Sequence, residues 1–139
     1  MRYARLMRVL IQNYASSEFT EPLYLCESLN IIDSAEAWIW SSSQVSAFDM
    51  LDTARPDLLI SHFGYLTQDI IKYLSGKKID VIVNVTGATQ DVVDSIDGLI
   101  SSSNVSCPFI FTNTPGSLNT IIQRKTKLIS VMHGADIFL

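Results

Sequence analysis

Residues 79–90 read Ile79-Asp-Val-Ile-Val-Asn-Val-Thr-Gly-Ala-Thr-Gln90. The first half is a short, nearly continuous β-branched run. It breaks at Thr86-Gly87 and restarts as a helix with a polar cap at Thr89. A run of this kind suits a strand buried on both faces, as in a parallel sheet covered by helices above and below. The break suits a tight strand-to-helix turn. A chain built around such a unit is expected to repeat it.

The repeat is visible along the sequence. Residues 7–13 form a first strand, and Thr20-Glu21-Pro22 opens a helix with the proline where its missing N–H is harmless. Leu23, Cys26, Leu29 and Ile32, with Leu25, fall on that helix's buried face. Residues 35–40 form a second strand, with Trp38 and Trp40 on one face and Ala37 and Ile39 on the other. Both tryptophans are expected to pack against a covering helix. Ser46 caps a short helix with Phe48, Met50 and Leu51 inward, ended by Pro56. Residues 57–62 form a third strand. A helix follows from Thr67 to Leu74 and is ended by Gly76.

The helix after the opening stretch turns Val92, Val93, Ile96, Leu99 and Ile100 inward and Asp91, Asp94 and Asp97 outward. Gly98 inside it costs about 1 kcal/mol relative to Ala. Residues 107–112 form a fifth strand, with Pro108 suited to an outer strand or a strand's first residue. Thr114-Pro115 opens a further helix with Leu118, Ile121 and Ile122 inward. Residues 127–132 form a sixth strand. Strands and helices alternating in this way predict an α/β fold: a three-layer, doubly wound parallel sheet of about six strands, Rossmann- or flavodoxin-like. The expected order is 2-1-3-4-5-6, with 3-2-1-4-5-6 as the alternative.

The length of 139 residues fits a single domain. Residues 1–6 are expected as a loose extension, and residues 133–139 as the start of an interdomain linker. Hydrophobic residues make up 47% and charged residues 17%, a balance that implies a real core. The net charge of −4 and the lack of a basic block argue against nucleic-acid binding. The short run Arg124-Lys-Thr-Lys127 reads as a solvated helix end. Cys26 and Cys107 read as small core residues of a reducing, cytoplasmic compartment. No stretch reaches the roughly 18 apolar residues a membrane span needs.

In open α/β sheets, ligands sit beyond the carboxyl ends of the strands, near the point where winding reverses. The strand ends give Asn13, Ser41, His62, Asn84 with Thr86, Asn113 with Thr114, and His133. Two loops carry the most chemistry. The segment Asn84-Val-Thr86-Gly87-Ala-Thr89 offers a glycine, hydroxyls and free N–H groups at a helix start, which favours a phosphate or carboxylate. In Ser61-His62-Phe63-Gly64, His62 is placed to act as general base or hydrogen-bond partner. The Walker ending is missing, and the loop after the first strand has no glycine, so no dinucleotide cofactor is expected. The histidines make no recognisable metal-ligand set, and a nucleophile elbow is absent.

Two segments resemble the two-domain glycosyltransferases of the GT-B type, which pair two Rossmann-like halves around a cleft. Arg55-Pro56-Asp57-Leu-Leu-Ile-Ser-His62 is similar to a strand of their N-terminal half that begins Pro-Asp and ends near a His. Val131-Met-His133-Gly-Ala-Asp136, with Phe138 behind it, is similar to their Val-Pro-Asn-Gly-Val-Asp segment. His133 stands where Asn is usual, Phe138 comes early, and the first loop lacks the family's glycines. The resemblance covers nearly the whole chain. It implies an acceptor-side half that is catalytically incomplete alone, with His62 nearest the cleft. A nucleotide sugar would then bind only together with a second domain. The competing reading is a stand-alone flavodoxin-like module binding a small anion, a nucleotide or another phosphate-bearing molecule. A third is a small enzyme using His62 or His133 as acid and base. A second domain or a second copy of the chain is the expected protein partner.

Overall fold

The computed structural model describes residues 6–13, 21–31, 34–41, 46–62, 66–85, 89–107, 109–112 and 127–130. In chain order the elements are β1 (Met7–Asn13), α1 (Glu21–Ile31), β2 (Ala35–Ser41), α2 (Ala47–Ala54) and β3 (Leu58–His62). They continue with α3 (Gln68–Lys77), β4 (Asp80–Val85), α4 (Gln90–Ser101), β5 (Phe109–Thr112) and β6 (Lys127–Ser130). All strand pairs are parallel, in the order β2-β1-β3-β4-β5-β6. That is the doubly wound α/β fold with flavodoxin-type order, and it decides between the two orders read from the sequence.

The layers follow from the winding. The step from β1 to β2 runs one way across the sheet, and every later step runs the other way. A crossover of constant hand must then change faces. Cys26 and Leu29 of α1 accordingly pack on Val9, Ile11, Ala37 and Ile60. Leu51 of α2, Leu74 of α3, and Val93 and Ile96 of α4 pack on the opposite face, over Leu10, Leu59, Val81, Val83 and Ile110. In β4, Val81, Val83 and Val85 are buried on the α2–α4 side, each worth about 1.5–3 kcal/mol over an exposed position. Ile82 and Asn84 on the α1 side are half-buried.

Local chemistry explains where the helices begin and end. Ser46, Thr67 and Thr89 each occupy an N-cap in extended backbone, and their hydroxyls accept from the N–H groups of Asp49, Ile70 and Val92. The third helix does not end at Gly76. It runs to Lys77, and Lys78 takes the left-handed cap position at φ 58°, donating its N–H to Leu74 and Ser75. The turn at Lys78 delivers buried Ile79 to the start of β4. Pro56 likewise comes one residue after the true stop, because Arg55 holds the left-handed cap of α2 at φ 46°.

Three inward or outward assignments change. Phe48 is 41% exposed and packs edge-on against Tyr73 of α3, with ring centroids 5.4 Å apart, instead of entering the core. Asp97 is only 6% exposed, so the three aspartates of α4 do not share a solvent face. The two tryptophans share a face of β2 but not an environment. Trp40 is 5% exposed within the core, while Trp38 is 36% exposed at the sheet edge under the Arg8 guanidinium, 5.1 Å from its ring centroid. Arg8 also donates to the Ala54 carbonyl at the end of α2, and its backbone exchanges hydrogen bonds with Asp57. The helix read after Thr114-Pro115 and the residues from Val131 onward lie outside the described residues.

Candidate functional site

Winding reverses between β1 and β3, the place where open α/β sheets as a class hold ligands, in a crevice over the carboxyl ends of the strands. Asn13 closes β1, opposite Ser41 of β2. His62 closes β3 and is in register with Asn84 of β4. Alternation puts His62 and Asn84 on the α1 face of the sheet, with Ile60 and Ile82 before them. Asn13 and His62 thus close neighbouring strands, and Asn84 lies one residue before the end of the next. Thr86, Gly87, Asn113 and His133 lie outside the described residues.

His62 is half-buried. Burial pushes its imidazole below the ordinary value of 6.5, because the charged form is the one that loses hydration. At neutral pH the ring is therefore the uncharged form, able to accept a proton or a hydrogen bond and to donate one.

Thr89 takes the capping role read from the opening stretch. Its hydroxyl accepts from the Val92 N–H at 3.3 Å, so it caps α4. Asp91 in the first turn adds a carboxylate at the same helix end. The anion-binding capacity read from this loop is thus met in part from within the chain.

The structure adds a pair that sequence reasoning missed. The Ser61 hydroxyl donates to the Gln12 side-chain oxygen, across β1 and β3 and one residue short of their ends. Gln12 is 4% and Ser61 2% exposed. They lie on the α2–α4 face, on the opposite side of the sheet from His62. The signal was there in weak form: each is the first polar residue after an apolar run, just before a strand end. Recognising the pair requires the register between β1 and β3.

Among the described residues, no group of three or more His, Cys, Asp or Glu is placed to hold a metal ion. No helix among them is long and apolar enough to cross a membrane. Cys26 and Cys107 are partly buried. Burial and the neighbouring Glu27 carboxylate push the Cys26 thiol up, against a smaller lowering by Asn30, which makes it a poor nucleophile. Comparison with protein-family models gives no match, and comparison with curated proteins gives none either.

Proposed function

We propose that this chain is a flavodoxin-like binding module that takes a small polar molecule over the carboxyl ends of β1, β3 and β4. The observation that carries this reading is the meeting of Asn13, His62 and Asn84 at the winding reversal. Hydrogen-bonding side chains at that place can orient a ligand, while the covered sheet beneath gives them a rigid base. A neutral His62 suits recognition by hydrogen bonding, and it would also suit a general base if the module is catalytic.

The second reading is the acceptor-side half of a GT-B-like glycosyltransferase. It is favoured by β3, which follows Pro56-Asp57 and ends at His62 beside the crevice. The flavodoxin-type strand order, distinct from the 3-2-1-4-5-6 order of dinucleotide-binding Rossmann folds, favours the first reading.

A thermal-shift panel tests both. Its probes are inorganic phosphate, nucleotides, nucleotide sugars, free nucleosides and free sugars. A ligand that binds only the folded state raises the melting temperature with concentration. Stabilisation that His62→Ala or Asn84→Ala weakens supports the binding module. Strong stabilisation by a nucleotide sugar counts against a half that lacks the donor site. Lack of response to every probe rejects a small-molecule site of these classes.

A further inference from the structure

We infer that Gln12 and Ser61 form a clasp across a fork in the sheet, and that they are positioning residues for Asn13 and His62 at the proposed binding site. The inference rests on that site for its purpose and adds the device that sets its width.

The fork is read from the strand pairing. β1 and β3 are in register from Val9 with Leu58 to Ile11 with Ile60, and their ladder stops there. Both strands run on, β1 to Asn13 and β3 to His62. Over those last two residues β1 stays paired with β2, as far as Asn13 with Ser41. β3 stays paired with β4, as far as His62 with Asn84. The sheet therefore divides into two halves at its carboxyl edge, at the place where winding reverses. Asn13 closes the β1 strand of one half and His62 the β3 strand of the other.

A main-chain ladder holds neighbouring strands about 4.8 Å apart. Beyond Ile11 and Ile60 the ladder no longer sets that distance, and a side-chain bond stands in its place. Gln12 and Ser61 are the first residues past the ladder, and the Ser61 hydroxyl donates to Gln12 Oε1. The same hydroxyl lies 3.2 Å from the His62 carbonyl oxygen, so the residue that ties β3 to β1 also touches the main chain of His62. Gln12 and Ser61 are both buried, where water does not compete for the bond. An apolar pair of the same shape would fill the layer about as well. It would not supply a fixed separation, whereas a hydrogen bond keeps its atoms within a narrow range of length and angle. The pair lies on the α2–α4 face and His62 on the α1 face, so the clasp acts through the two backbones and not by touching a ligand.

The test needs no ligand, so the clasp and the binding site can fail separately. NMR compares wild type, S61A, Q12M, Q12M/S61A and S61T. The His62 imidazole is titrated, with His62→Gln to assign it, since the chain has two histidines. Amide exchange is followed at His62. The wild-type His62 midpoint lies below 6.5. S61A and Q12M should each move it up toward 6.5 by the same amount, because either change opens the fork to water. The double variant should add nothing to either single change. Exchange of the His62 amide should be about tenfold faster in all three. S61T keeps the hydroxyl and should keep the wild-type midpoint. A shift in S61A that Q12M does not reproduce reports only a neighbour of His62 and overturns the inference. Wild-type midpoints in both single variants overturn it too, and if those variants also melt several degrees lower, the pair is purely structural. An S61T protein that melts like wild type but titrates like S61A overturns it as well.

Discussion

Asn30 of α1 holds both main-chain groups of Ala37 in β2. Its Nδ2 donates to the Ala37 carbonyl at 3.1 Å, and its Oδ1 accepts from the Ala37 N–H at 2.7 Å. β2 is an outer strand, so this carboxamide takes the place that a further strand would occupy. Side-chain pairing of this kind protects an edge against association with another chain.

Asn30→Ala should cost about 1–2 kcal/mol, the loss of two hydrogen bonds at groups that water can partly reach. Urea unfolding should show a lower midpoint with an unchanged slope. Light scattering should show more self-association than wild type. Asn30→Asp should not rescue the variant, because a carboxylate facing the Ala37 carbonyl has no proton to donate.

His62 makes stability depend on pH. Its folded value is lowered by burial, so the unfolded chain binds more protons than the folded one in the window below 6.5. The stability associated with neutral His62 is present above that window and is lost as pH falls through the folded value. Urea melts across this range should show a decline that is shallower in His62→Gln. An equal decline in both proteins would remove His62 as its source.

Cys26 should alkylate slowly. Its thiol is pushed up by burial and by Glu27, and its Sγ lies 3.4 Å from the Ala37 carbonyl oxygen. In a Cys107→Ser background at mildly alkaline pH, iodoacetamide should label native protein more slowly than protein in denaturing urea. Equal rates would contradict the packing of α1 on β2.

Thr89→Ala should lower stability by about 1 kcal/mol through loss of the α4 cap, and Thr67→Ala should do the same for α3. If Thr89 acts only as a cap, Thr89→Ala keeps wild-type ligand affinity at the crevice. A large loss of affinity would return the Thr89 hydroxyl to the binding site.

Much of the architecture was legible because burial dictates it. The run Val81-Ile-Val-Asn-Val85 must be a covered strand, and Ser46 and Thr67 sit where only a cap relieves the first turns of their helices. Features set by tertiary context were not legible. Asp97 has the spacing of a surface residue yet is buried, and Phe48 has the spacing of a core residue yet meets Tyr73 near the surface. Lys78 ends α3 in a conformation that glycine favours, two residues past the glycine that marked the stop. The sequence pattern put His62 at the end of β3 and Asn84 near the end of β4, where the two stand in register. Gln12 and Ser61 stayed hidden because their meaning lies in a register across β1 and β3.

Ser61 and His62 are neighbours in the chain but belong to opposite sides of the sheet. Substitutions at these two positions therefore act first on different layers, one on the face packed by α2–α4 and the other on the face packed by α1.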